Sequence, residues 1–232
     1  MRGAFAEELE QLRIQVELMA LRVDESVARA VRVVEFGDQV AAADLLASDD
    51  EIDDMHISLL ERCYELLVRE GPVASDFRLV VSVIRALDSL ERIGDLCLRI
   101  AKTADEQPLI AANSELHRVA VEFSYVVLAA FRRMRTAWAE GSLDPLGPET
   151  SVDRRSTDAL PAVLGDAGPE ELARALAARI MELSGPDAVR AGVNAFVVCR
   201  SLDRIADHTH VLVARLKYLV TGDPSHLADE VA

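Results

Sequence analysis

From Ala4 to about Phe36 apolar residues recur at helical spacing, at Leu9, Leu12, Val16, Met19, Val23, Val27, Ala30 and Val34. That spacing predicts a long amphipathic helix, with Gly37 as its terminator. A second helix is predicted from about Asp38 through Leu45, Leu46, Ile52, Met55, Leu59, Leu60 and Leu67, up to Gly71-Pro72, a pair that cannot continue a helix. Ser75 reads as the N-cap of a third helix carrying Leu79, Val83, Leu87, Leu90, Ile93, Leu98 and Ile100, and Pro108 as the close of that unit. A fourth helix is expected from about Asn113 to Glu140. Gly141 to Asp166 then holds three prolines, three glycines and few apolar residues, and reads as loop. A fifth helix is predicted over Pro169 to Leu183, ending at Gly185-Pro186, and a sixth from about Asp187 to Thr221. Gly222-Asp223-Pro224 ends the sixth, and a mobile acidic tail is expected beyond it. No stretch alternates at period two, so no sheet is expected.

One heptad occurs twice. Ser89-Leu90-Glu91-Arg92-Ile93-Gly94-Asp95 returns 112 residues later as Ser201-Leu202-Asp203-Arg204-Ile205-Ala206-Asp207, with five positions identical. Each copy lies in the last helix of a set of three, about twenty residues past a Gly-Pro break. Duplication of a three-helix unit accounts for both chain length and helix count. The expected fold is all-α, a tandem repeat of two three-helix bundles of long antiparallel helices. Residues 1–108 form the first repeat, 109–222 a diverged second repeat, loop-rich at 141–168, and 223–232 a tail.

Composition narrows the chemistry. Half of the 232 residues are apolar but only 4% are aromatic, so the core must be aliphatic. A net charge of −15 argues against nucleic-acid binding, which rests on Lys and Arg neutralising phosphates. No apolar run approaches the ~20 residues that cross a bilayer, and no signal-peptide pattern opens the chain. Cys63, Cys97 and Cys199 are odd in number and widely spaced, which reads as buried, reduced thiols. A cytoplasmic location follows as the expectation.

Helix geometry gives the heptad its chemistry. Residues four apart share a face, so Glu91 stacks beside Asp95 and Asp203 beside Asp207. Leu90, Ile93, Leu202 and Ile205 then point into the bundle, leaving the carboxylates along one edge. Asp49 and Asp53 on the second helix are again four apart, and an antiparallel bundle would bring them beside Glu91 and Asp95. Such a set suits hard cations: magnesium, manganese, iron or zinc. His56, His208 and His210 read as bundle-edge histidines, and Arg92 and Arg204 as salt-bridge partners of the nearby carboxylates. The alternative is that acidic pairs at this spacing are only solvated helix surface. There is no Gly-rich phosphate loop, no GxSxG and no HExxH. The enzyme reading, a carboxylate-bridged metal-dependent hydrolase or oxygen-reacting protein, rests on the Asp/Glu/His clusters alone.

Three motifs taken in order carry a resemblance: Asp49-Asp50-Glu51-Ile52-Asp53, Gly71-Pro72-Val73-Ala74-Ser75-Asp76-Phe77-Arg78, and Leu90-Glu91-Arg92-Ile93-Gly94-Asp95. With Leu202-Asp203-Arg204-Ile205-Ala206-Asp207-His208 and the Lys217-to-Gly222 end of the last helix, the chain resembles the PhoU family of bacterial phosphate-uptake regulators over nearly its whole length. The resemblance implies two three-helix bundles, each with an acidic E(D)xxxD motif that binds a multinuclear metal cluster in some relatives. By position these residues are Glu91 and Asp95, and Asp203 and Asp207. The family's Asp-x-x-x-Asp of the fifth helix has no clear counterpart beyond Asp153 and Asp158, which are not counted as ligands. The resemblance further implies a non-enzymatic adaptor at the inner face of the membrane. Its partners would be the ATPase subunit of the phosphate ABC transporter and a membrane sensor histidine kinase; separately, the low aromatic content and long amphipathic helices allow a helix-mediated homodimer. The adaptor would restrain uptake and starvation signalling when phosphate is plentiful.

Overall fold

The computed structural model describes residues 2–147 and 168–230. It places α1 at Arg2–Phe36, α2 at Gln39–Ala47, α3 at Asp49–Glu70 and α4 at Ala74–Ala101, then α5 at Gln107–Ala111, α6 at Ser114–Glu140, α7 at Pro169–Met181 and α8 at Ala188–Thr221. There is no strand among the described residues, and the all-α tandem bundle is the observed fold.

Capping follows the sequence at several ends. Gly37 leaves α1 with φ +63°. The Asp38 carboxylate caps α2, accepting from the amides of Val40 and Ala41 at 3.0 Å each. Those amides and the Arg32 guanidinium hold its pKa below the usual carboxylate value. Asn113 caps α6 by accepting from the Leu116 amide at 3.0 Å.

Four expectations need correction. The helix expected to run unbroken from Asp38 divides at Ser48, whose amide donates back to Asp44 O at 3.1 Å and whose hydroxyl donates to Leu45 O at 3.2 Å. The acidic run Asp49-Asp50-Glu51 that follows suits the positive end of a new helix. Second, α4 starts two residues earlier than expected. Val73 is its extended N-cap, and Ser75 lies inside the first turn without a capping bond. Third, α4 ends at Ala101, and Pro108 sits not at a chain break but in the first turn of α5, where its missing N–H costs nothing. Fourth, Pro224–Glu230, expected as a mobile tail, coils into a 3-10 helix against the end of α8. Of the expected 141–166 loop, Asp144–Leu146 is a short 3-10 turn, and residues 148–167, with Asp153 and Asp158, lie outside the described residues.

The helices of each half pack together, and α4 then lies along α8 and α1 along α6. Both pairs are antiparallel: Arg132 of α6 meets Asp24 of α1 at 3.0 Å, while Tyr125 donates to Glu35 at 2.6 Å. Buried residues from all the long helices join one aliphatic core. Leu90, Ile93, Leu202 and Ile205 of the repeated heptad are each at most 2% exposed, as their face requires. The three thiols are unpaired and buried. Burial pushes Cys63 up to about 12 and Cys199 up to about 11, and raises Cys97 as well. One polar knot lies at the end of α1. Gln107 is 6% exposed and donates to Val34 O at 3.2 Å, and His117 Nε2 lies 3.0 Å from Glu35 O. These side chains occupy carbonyls that a helix end leaves open.

Candidate acidic site on the paired helices

Close packing brings the first acidic motif together. Gly94 has no side chain, and a Cβ there would stand 3.2 Å from Ile52 Cδ1. Its absence lets α3 approach α4 one residue from Asp53. Asp53, Glu91 and Asp95 consequently line one small recess at the α3–α4 seam. Asp49 opens α3, but its side chain lies outside the described part. Arg92 binds back over this site, with Nη1 3.1 Å from Asp95 and Nε 3.4 Å from Glu91. His56 turns to Asp88 at 3.3 Å, a partner its sequence spacing does not announce.

In the second motif two arginines replace the one that bridges the first. Asp203 is paired with Arg200, and Asp207 lies 3.9 Å from Arg204. The acidic residue that α7 contributes is Glu170, within electrostatic reach of Asp203. Sequence reading missed it because the family spacing directed attention to Asp153 and Asp158. The usable signal was Pro169-Glu170-Glu171, an acidic first helical turn. His208 faces Arg92 across the α4–α8 contact. Burial, together with the Arg204 and Arg92 charges, holds its pKa below the ordinary imidazole value against the pull of Asp207. His210 is half-buried on the same helix.

Burial raises the pKa of Glu91, and the Asp95 charge raises it further against Arg92 and His56. Burial and Asp207 do the same to Asp203. Oxygen donors of this kind suit a hard cation. The observed geometry is filled by arginine instead, and among the described residues no three His, Cys, Asp or Glu side chains converge closely enough to hold an ion.

The raised values carry a stability consequence. The folded-state pKa of each carboxylate lies above its unfolded value, so ionisation opposes folding above that pKa and the opposition is relieved as pH falls. In chelator-treated protein, Glu91→Gln and Asp203→Asn should each raise stability at pH 7 by about 0.2–0.5 kcal/mol, the scale of one like-charge helix pair. Urea titrations at several pH values test this: the gain should shrink as pH falls through the folded-state pKa.

Fold and site define an all-helical double bundle with an acidic edge on each third helix, a scaffold that presents charge. The comparisons with known proteins agree on the fold. A family model described as PhoU domain matches residues 16–104. The phosphate-specific transport system accessory protein PhoU of Serratia marcescens is 28% identical over 98% of this chain and 89% of its own length. The PhoU homolog of Pseudomonas aeruginosa is 29% identical over 96% of this chain and 88% of its own. The crystal structure of PhoU from Pseudomonas aeruginosa superposes with a TM-score of 0.76 at 27% identity, covering 94% of this chain and all (100%) of that one. The phosphate transport system regulatory protein PhoU from Streptococcus pneumoniae shares the fold, with a TM-score of 0.77 at 22% identity. The chain is similar to PhoU proteins along nearly its whole length, and the PhoU domain itself matches over residues 16–104.

Proposed function

We propose that this chain is a regulator of phosphate transport, acting as an adaptor between the transporter's ATPase subunit and a membrane sensor histidine kinase. The observation that carries the reading is its end-to-end likeness to accessory proteins of phosphate-specific transport. No helix among the described residues is long and apolar enough to cross a membrane, which suits a protein that reaches the membrane through partners. The acidic motifs supply the docking chemistry: Glu91, Asp95 and Asp53, and Asp203 and Asp207 with Glu170, hold magnesium, manganese, iron or zinc when the arginines release them. A second copy of the chain completes the assembly. The role is regulatory, and the carboxylates hold charge without performing turnover.

The test is deletion of the gene with a phosphate-regulon reporter read in phosphate-rich medium. Deletion should derepress the reporter, and wild type should restore repression. Glu91→Gln/Asp95→Asn, accumulating to wild-type level, should fail to restore it. An unchanged reporter on deletion would overturn the regulator reading. Full restoration by the double variant would remove the first acidic motif from the mechanism.

A further inference from the structure

Arg78 and Arg190 are 112 residues apart, the offset of the repeated heptad, and stand in the first two turns of α4 and α8. These two helices run antiparallel in one register: Arg92 lies within electrostatic reach of His208, and Ala86, Leu90 and Leu212 line one pocket. Each arginine therefore comes level with the far end of the opposite helix. Arg190 meets Glu106, beyond the end of α4, with Nη2 2.7 Å and 2.9 Å from the two carboxylate oxygens. Arg78 meets Gly222, just beyond the end of α8, where a Cβ would stand 3.1 Å from Nη1 and 3.2 Å from Cζ. The duplication thus sets one arginine at each end of the helix pair that joins the repeats.

The two ends are not equally secured. Around Glu106 the chain is anchored by buried Thr103, Ala104, Gln107 and Ile110, and Gln107 also bonds the last carbonyls of α1. Beyond α8, none of residues 222–228 is buried. Arg78 holds the place of a cation at the negative end of α8. Among the described residues no ion pair or hydrogen bond ties it, and its Nε is buried. A donor left so costs free energy that release to water recovers. Ala74, one turn before Arg78, has φ +52° and is the only non-glycine with positive φ among the described residues. That backbone is strained for a residue with a Cβ and persists only while its surroundings hold it. Strain and an unsatisfied donor therefore meet at the end that no buried residue of the following segment secures.

We propose that the α4–α8 pair is an asymmetric clasp between the repeats, held at the Arg190–Glu106 end and released at the Arg78–Gly222 end. In the closed state the Arg78 guanidinium covers the end of α8 and holds the strained turn at Ala74. In the released state the last turns of α8 part from the start of α4, while the Arg190 end stays joined. The clasp goes beyond the adaptor reading and does not depend on it.

Hydrogen exchange read by mass spectrometry on the full chain tests it, with circular dichroism confirming that each variant is folded. In wild type the last two turns of α8, residues 215–221, should exchange at least about tenfold faster than those of α4, residues 95–101, as local opening at one end requires. Arg78→Gln should speed exchange at 215–221 by a further factor of about five and leave 95–101 unchanged. Ala74→Gly, which takes a positive φ without strain, should slow exchange at 215–221 about threefold by favouring the closed state. Arg190→Gln should change 95–101 less than about twofold, because the buried residues around Glu106 still hold that end. Equal speeding at both ends in Arg78→Gln would mean a global loss of stability and would overturn the clasp. So would unchanged exchange at 215–221 in that variant, or faster exchange there in Ala74→Gly.

Discussion

Phe131→Ala is expected to destabilise the protein by about 3–5 kcal/mol, the cost of truncating a fully buried aromatic. Phe131 is 0% exposed on α6, close to the level where Arg132 reaches Asp24 of α1. Aromatics are only 4% of the chain, and Phe131 and Phe123 on α6 are the bulkiest of its fully buried side chains, in the space between α1, α7 and α8. The aliphatic neighbours are close-packed in rotamer wells and close over the void only in part. For a chain of this size the loss corresponds to roughly 10 °C in Tm. Differential scanning calorimetry against Val68→Ala gives the comparison. Val68 is 85% exposed, and its truncation should cost at most about 0.5 kcal/mol. A Phe131→Ala protein melting within a degree or two of wild type would mean that the core is not packed as described.

Gly37→Val should cost about 3 kcal/mol, for two separable reasons. Gly37 has φ +63°, and a residue with a Cβ pays about 1–2 kcal/mol there, more when β-branched. The new Cβ would also stand 3.0 Å from Gln107 Oε1 and 3.3 Å from Gln107 Cβ. Gln107 cannot yield freely, because its amide donates to the last carbonyls of α1. Crowding it away leaves Val34 O and Glu35 O short of partners at a buried helix end. Gly71→Val separates the two effects. Gly71 has φ +53° with nothing within 4 Å of the added Cβ, so it should show the backbone cost alone. Urea unfolding of the two variants measures the difference, and equal losses would mean that Gln107 does not cap α1.

These positions show what sequence could and could not supply. Gly37 was legible as a helix end because glycine's freedom at positive φ is a local property. Its lock was not, since Gln107 sits some seventy residues away and neither residue type advertises the meeting. The division at Ser48 had a local signal, Ser48-Asp49-Asp50-Glu51, the spacing of a capping box, but the apolar period ran on across it. Glu91, Asp95 and Asp53 were legible as neighbours because two periodic helices, once antiparallel, leave little choice. Arg92 was legible as a salt-bridge partner for the same reason. What stayed hidden was contact across the bundle: His56 with Asp88, Glu170 near Asp203, His208 facing Arg92. Each depends on helix register, which period alone does not fix.

The sealed thiols have a consequence of their own. Nucleophilic attack requires thiolate, and Cys63, Cys97 and Cys199 are buried with pKa values far above neutrality. The native fold is therefore silent to peroxide, alkylating agents and disulfide exchange until it opens. The folded scaffold is insulated from oxidants in its surroundings.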